Sequence, residues 1–137
     1  MREAVGGSML YYIIIPIIIL FIVFIAFIMN YAAAYRAANY YITQIESCQG
    51  QVGKCGDITF KSIENDLKNK YKYIAPKNNG IKRCYKENGN SYVFRVELPV
   101  TFELPIVGVL QPMIVKAETK SIANVPAAFL GNYGKCQ

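Results

Sequence analysis

The run from Met9 to Met29, MLYYIIIPIIILFIVFIAFIM, holds no charge and no strongly polar side chain. It constrains everything that follows. A helix that crosses the hydrocarbon core of a bilayer needs about 20 apolar residues, and this run supplies them. In lipid each backbone N–H and C=O has to be satisfied within the segment, so the run is expected to be helical despite its β-branched isoleucines. Core helices and strands of soluble domains are usually shorter or broken by polar positions. The run is also too long for the apolar part of a removable secretory signal, and no A-x-A-like site follows it. The sequence predicts a membrane anchor.

The rest of the chain divides around that anchor. Residues 1–8, MREAVGGS, read as a short cytoplasmic head, residues 9–47 as a transmembrane helix with an amphipathic extension, and residues 48–137 as one small extracytoplasmic domain. Short positive flanks stay in the cytoplasm while long domains translocate regardless of their charge, so Arg2 is expected inside and the C-terminal domain outside. Pro16 removes one helical hydrogen bond and predicts a kink between Tyr12 and Pro16. Beyond Asn30 the apolar positions Tyr31, Tyr35, Ala38, Ile42 and Ile45 recur at offsets of four and three, with Arg36, Asn39, Thr43 and Glu46 on or near the other side. Such spacing makes one helix face. Ala34 and Ala38, among other alanines, would let a second backbone approach closely. The expected helix is about 40 residues or 60 Å long, and its upper half needs partners. The domain's own sheet could cover one side, and sister helices another.

Past Arg36 there are thirteen basic and eight acidic residues, a balance of +5. The signs are interleaved, which describes a solvated face better than a polyanion site. The four cysteines, Cys48, Cys55, Cys84 and Cys136, lack finger-like spacing, and the chain has no histidine. An even count beside a membrane anchor suggests disulfides in an oxidising compartment. Of the three connectivities, 48–55 with 84–136 is preferred: the first closes a short glycine-containing loop and the second ties down the tail.

Within the domain, Cys48 to Asp57 reads as a loop. A second helix is expected from near Asp57 or Thr59, either of which could cap it, with Phe60, Ile63, Leu67 and Tyr71 on one face. Pro76 and Asn78-Asn79-Gly80 should end it. After Gly80 the period falls to two. Ile81 to Lys86 reads as a strand, Asn88-Gly89 as a hairpin turn, and Ser91 to Leu104 as a long strand. On that strand Pro99 marks a bulge or an edge. A third strand runs from Met113 to Ile122, and the connection from Leu104 to Met113 is apolar where connections are usually polar. Contact with protein or membrane and folding back onto the domain's core both account for that composition. The expected class is α+β with a small antiparallel sheet.

Catalysis has little support. Without histidine, Ser–His and Cys–His nucleophile pairs are excluded. Asp57 and Asp66, the only aspartates, fall on or beside a surface helix and make a poor acid–base pair. No glycine-rich phosphate loop is present, and no cofactor is expected. Lys82, Arg83, Lys86 and Arg95 beside Tyr85 and Tyr92 form the nearest approach to an anionic-ligand patch, since cations interleaved with aromatics can hold single-stranded nucleic acid.

The order of short glycine-ended leader, apolar helix with early proline, amphipathic continuation and paired strands resembles type IV pilins and pseudopilins. It is similar in particular to the TadE-like minor pilins of tight-adherence systems and to pilin-like proteins near conjugation genes. The stretch from Val93 through Leu104-Pro105 to Met113-Ile-Val-Lys-Ala-Glu-Thr resembles their paired strands. The resemblance implies prepilin peptidase cleavage between Gly7 and Ser8. Most such proteins carry a glutamate about five residues past the cut, where this chain has Tyr12, which points to a minor subunit. It further implies a structural role, not an enzymatic one, in a pilus or in a secretion or conjugation apparatus. The partners would be the membrane, other pilin-like subunits and assembly machinery, in a homo- or hetero-oligomer. The assembly face would be Tyr31, Ala34, Tyr35, Ala38, Ile42 and Ile45. The alternative is an uncleaved single-pass surface protein whose basic, tyrosine-bearing domain binds DNA or an anionic cell-wall polymer.

Overall fold

The computed structural model of the chain describes residues 2–71, 80–101, 103–104, 108–109 and 113–137. One helix, α1, runs unbroken from Arg2 to Ser47 with Pro16 inside it, a length of about 69 Å at 1.5 Å per residue. The glycines at positions 6 and 7 do not interrupt the helix, which takes in the head from Arg2 onward. At the other end α1 stops in a Schellman arrangement. Gln49 is left-handed, the Gly50 N–H donates to the Ile45 carbonyl at 2.9 Å, and the Gln49 N–H donates to the Glu46 carbonyl at 3.0 Å. Gly50 has φ +75°, and a Cβ there would lie 2.8 Å from the buried Phe94 ring. Glycine at 50 thus permits both the reversal and the close approach of loop to sheet.

The second helix, α2 (Phe60–Tyr71), starts where Thr59 caps it. The Ser62 N–H donates to Thr59 Oγ1, and the Thr59 N–H donates back to Ser62 Oγ, the reciprocal pattern of a capping box. Ile63 and Leu67 are buried on its inner face, as the helical spacing predicts. The expected stop signals at Pro76, Asn78 and Asn79 lie outside the described residues.

The sheet has the spatial order β5-β2-β1-β7, with β6 also paired to β2. β1 (Lys82–Asn88) and β2 (Ser91–Val100) form the expected hairpin, in register from Lys82↔Glu97 to Asn88↔Ser91. β5 (Met113–Glu118) lies antiparallel on the other edge of β2. The predicted antiparallel sheet is in fact mixed. The short C-terminal β7 (Gly134–Lys135) pairs parallel to β1, because the tail returns after the turn of helix α3 (Ala127–Leu130). The long strand expected to reach Leu104 ends at Val100. The connection builds its own antiparallel pair, β3 (Glu103–Leu104) with β4 (Gly108–Val109). The third expected strand divides into β5 and β6 (Ile122–Ala123), since between them the Lys120 N–H donates to Glu46 Oε1 at the end of α1. Pro99 sits in β2 beyond Glu97, where β1 no longer pairs. It occupies a local edge and removes no ladder bond on that side.

Side chains alternate across β2. Phe94, Val96, Leu98 and Val100 are buried against α1, whose inward stripe is Ala34, Ala37, Ala38, Tyr41, Ile42, Ile45 and Cys48. Alanine at three of those positions lets the sheet close on the helix. Thr119 is the buried polar residue among those described, and it is satisfied: its hydroxyl accepts from the Phe94 N–H at 2.9 Å.

Candidate anchor and assembly surface

α1 divides into two halves. Its upper half is the central element of the domain core, while from Met9 to Met29 nearly every large apolar side chain is exposed. The stretch Gly6–Ser47 is long and apolar enough to cross a membrane. Gly7 and Ser8 lie near its start, on exposed helix.

The predicted assembly face does not survive as one surface. Tyr31 and Tyr35 are open, at 45% and 50% exposure, but Ala34, Ala38, Ile42 and Ile45 are buried in the domain's own core. The physical reason is a rotation of the stripe. Ala37 and Tyr41 lie inward with Ala34 and Ala38, and the three alanines let the sheet approach the helix closely. What stays open along α1 is the line Phe24, Ile28, Tyr31, Tyr35, continued upward by the exposed polar residues Asn39 and Thr43.

Both preferred cysteine pairs are bonded: Cys48 to Cys55, with Cα atoms 5.4 Å apart, and Cys84 to Cys136, at 5.0 Å. The four sulfurs are therefore not thiolates and offer neither a nucleophile nor a metal ligand of that kind. Cys84–Cys136 fastens the tail beside β1, where β7 pairs. It brings the buried Tyr133 against Phe94, ring centroids 4.5 Å apart, and the Tyr133 hydroxyl donates to the Gly50 carbonyl at 3.2 Å.

The basic patch also divides. Strand alternation sends Arg83 inward. There its guanidinium sits 4.3 Å from the Phe60 ring centroid, donates to the Tyr41 hydroxyl at 3.0 Å and pairs with Glu64 at 3.4 Å. Arg95 is on the outer face, where it pairs with Glu118, and Lys116 pairs with Glu97 beside it. Lys86 is exposed. Lys82, Arg83, Arg95, Glu97 and Lys135 border an open groove of about 420 Å³ beside the Cys84–Cys136 bond. The groove's lining is mostly basic, but three of its cations are paired, Arg83 with Glu64, Arg95 with Glu118 and Lys135 with Glu87, which suits a solvated face better than a polyanion track. Arg83 in its inward position supports the core.

The sequence pattern missed Tyr41 and Tyr133 as core aromatics. The position of Tyr41 three residues after Ala38 was the available signal. Nothing local marks Tyr133, whose burial follows from the distant disulfide. Comparison with protein-family models, with curated proteins and with solved structures finds no match to the chain.

Proposed function

We propose that this protein is a membrane-anchored structural subunit of pilin type. In this reading the lower half of α1 crosses the bilayer, the disulfide-tied domain stands on the extracytoplasmic side, and the open helix line packs against other subunits. One observation carries it: a single continuous helix is exposed and apolar over its first half and is the core of an α+β domain over its second. The tyrosines support the same placement. Tyr12 and Tyr31 are separated by about 28 Å of helix, close to the roughly 30 Å of hydrocarbon that interfacial tyrosines bracket. Two disulfides in so small a domain suit an oxidising compartment. Assembly then uses Phe24, Ile28, Tyr31 and Tyr35 in place of the buried alanines, with dispersion packing as the driving force in lipid.

Intact mass of the protein recovered from native membranes, before and after reduction, tests the processing and the compartment together. Loss of Met1 to Gly7 is expected, with a mass gain on reduction that accounts for two disulfides. Photo-crosslinkers at Tyr31 and Tyr35 test assembly: adducts with a second copy or another pilin-like subunit are expected. A full-length N-terminus together with no adduct from either position would overturn the subunit reading.

A further inference from the structure

Among the described residues, the exposed large hydrophobic side chains outside positions 9–35 are Met113 and Ile114, at 42% and 53% exposure. They open β5, and the fold decides where that end lies. The opposite end is fixed at the top of α1, where the Lys120 N–H meets Glu46 and Phe94 packs by Gly50. From there β2 and β5 descend over the inward stripe, which runs from Cys48 down to Ala34. Seven residues of strand between Lys120 and Met113 cover at most about 23 Å, the rise of about fifteen helical residues. A strand laid along the helix thus brings Met113 down as far as the level of Tyr31 to Ala34, at the top of the apolar span. β3, which follows β2 at this end, also lies against α1.

Composition and charge agree with that position. From Leu104 to Val115 the sequence LPIVGVLQPMIV has no charged residue. α2 packs on α1 at Tyr41 and Tyr40: Phe60 at its start lies 6.5 Å from the Tyr41 ring, Tyr71 at its end lies 5.3 Å from the Tyr40 ring in a tilted contact, and Asp66 accepts from the Tyr40 hydroxyl. Its last turn carries Lys68 and Lys70, Lys70 lying over the Tyr40 ring at 5.8 Å, one helical turn from the exposed Arg36. Apolar side chains flanked by cations are the composition of an interfacial membrane contact.

We propose that the lower edge of the sheet, marked by Met113 and Ile114, seats in the headgroup layer of the bilayer that α1 crosses, with Arg36 facing anionic headgroups. The domain then rests on lipid at two places and is held at a fixed tilt. This inference depends on the membrane-spanning reading of α1 above.

The chain has no tryptophan, so single substitutions report cleanly. Full-length Ile114→Trp, Phe21→Trp and Phe129→Trp variants are placed in vesicles of phosphatidylcholine with phosphatidylglycerol, with and without acyl-chain bromines. Phe21→Trp should be quenched strongly, Ile114→Trp severalfold, and Phe129→Trp, on the far helix α3, hardly at all. Removing the anionic lipid or raising salt should weaken only the Ile114→Trp quenching. If Phe21→Trp is quenched and Ile114→Trp is as unaffected as Phe129→Trp, the span stands and this contact is overturned. An Ile114→Trp emission that is blue-shifted but unquenched by bromolipid also overturns it, assigning the edge to protein. An unquenched Phe21→Trp overturns the span itself.

Discussion

The guanidinium of Arg83 donates a 3.0 Å hydrogen bond to the hydroxyl of Tyr41, joining the sheet to the long helix across 42 residues of chain. Phe60 beneath the guanidinium and Glu64 beside it add two further contacts. A cation is thereby held against a core aromatic at the junction of α1, α2 and β1.

That junction is open to a double-mutant cycle. Tyr41→Phe removes one charge-assisted hydrogen bond and is expected to destabilise the domain by about 1–2 kcal/mol. Arg83→Met keeps much of the stem packing and should cost a similar amount. In contact, the two should not add, leaving a coupling of about 1 kcal/mol in urea melts of the detergent-solubilised protein. Strict additivity would show that the bond does not form in solution.

The division of the helix face predicts opposite behaviour for neighbouring residues. Ala38 is fully buried, so Ala38→Leu should overpack the helix–sheet seam and cost about 1–3 kcal/mol or more. Tyr35→Ala removes an exposed side chain and should leave stability within about 0.5 kcal/mol while lowering co-purification with partner subunits. Thermal melts and pull-downs on the same two variants separate folding from assembly.

The two disulfides close loops of very different size, with sequence separations of 7 and 52. Chain entropy then assigns about 2 kcal/mol to Cys48–Cys55 and about 4 kcal/mol to Cys84–Cys136. Replacing Cys84 and Cys136 by alanine should therefore lower the urea midpoint more than replacing Cys48 and Cys55. It should also raise hydrogen exchange at the backbone N–H of position 136, which in the intact protein donates to the Tyr85 carbonyl. Equal midpoints would argue that β7 and Tyr133 stay docked without the bond.

Burial pushes the Tyr133 phenol well above its ordinary range; nearby Tyr41 adds to the rise and Arg83 opposes it. The folded state therefore holds this proton at pH values where the unfolded chain, near pKa 10, has lost it. Its contribution to stability is complete below about pH 10 and is lost progressively above it. Melting temperature should be flat from pH 7 to 9 and fall above about pH 10 in the wild type. Tyr133→Phe should be less stable at neutral pH by about 1 kcal/mol, for the lost bond to Gly50, and should show a shallower alkaline fall. An unchanged alkaline slope in that variant would assign the loss to other groups.

What the sequence alone determined is local in range. The apolar run forces a helix, because a backbone surrounded by apolar side chains must satisfy itself. The spacing of Phe60, Ile63, Leu67 and Tyr71 set the inner face of α2, Asn88-Gly89 set the hairpin turn, and period-two alternation set the inward residues of β2. Even the cysteine pairing could be preferred from loop lengths. Tertiary structure decided what depends on two distant segments meeting. The phase of the α1 stripe could not be read from α1, since alanines at 34, 37 and 38 and residues at 31 and 35 satisfy the same helical spacing. Which of them turns inward is fixed by how closely Val96, Leu98 and Val115 can approach. Strand alternation turns Arg83 inward, but its partners there, Tyr41 from α1 and Phe60 and Glu64 from α2, could only be known once the elements had met. The parallel pairing of β7 and the burial of Tyr133 needed a covalent tie across 52 residues, a constraint that no local pattern near the C-terminus records.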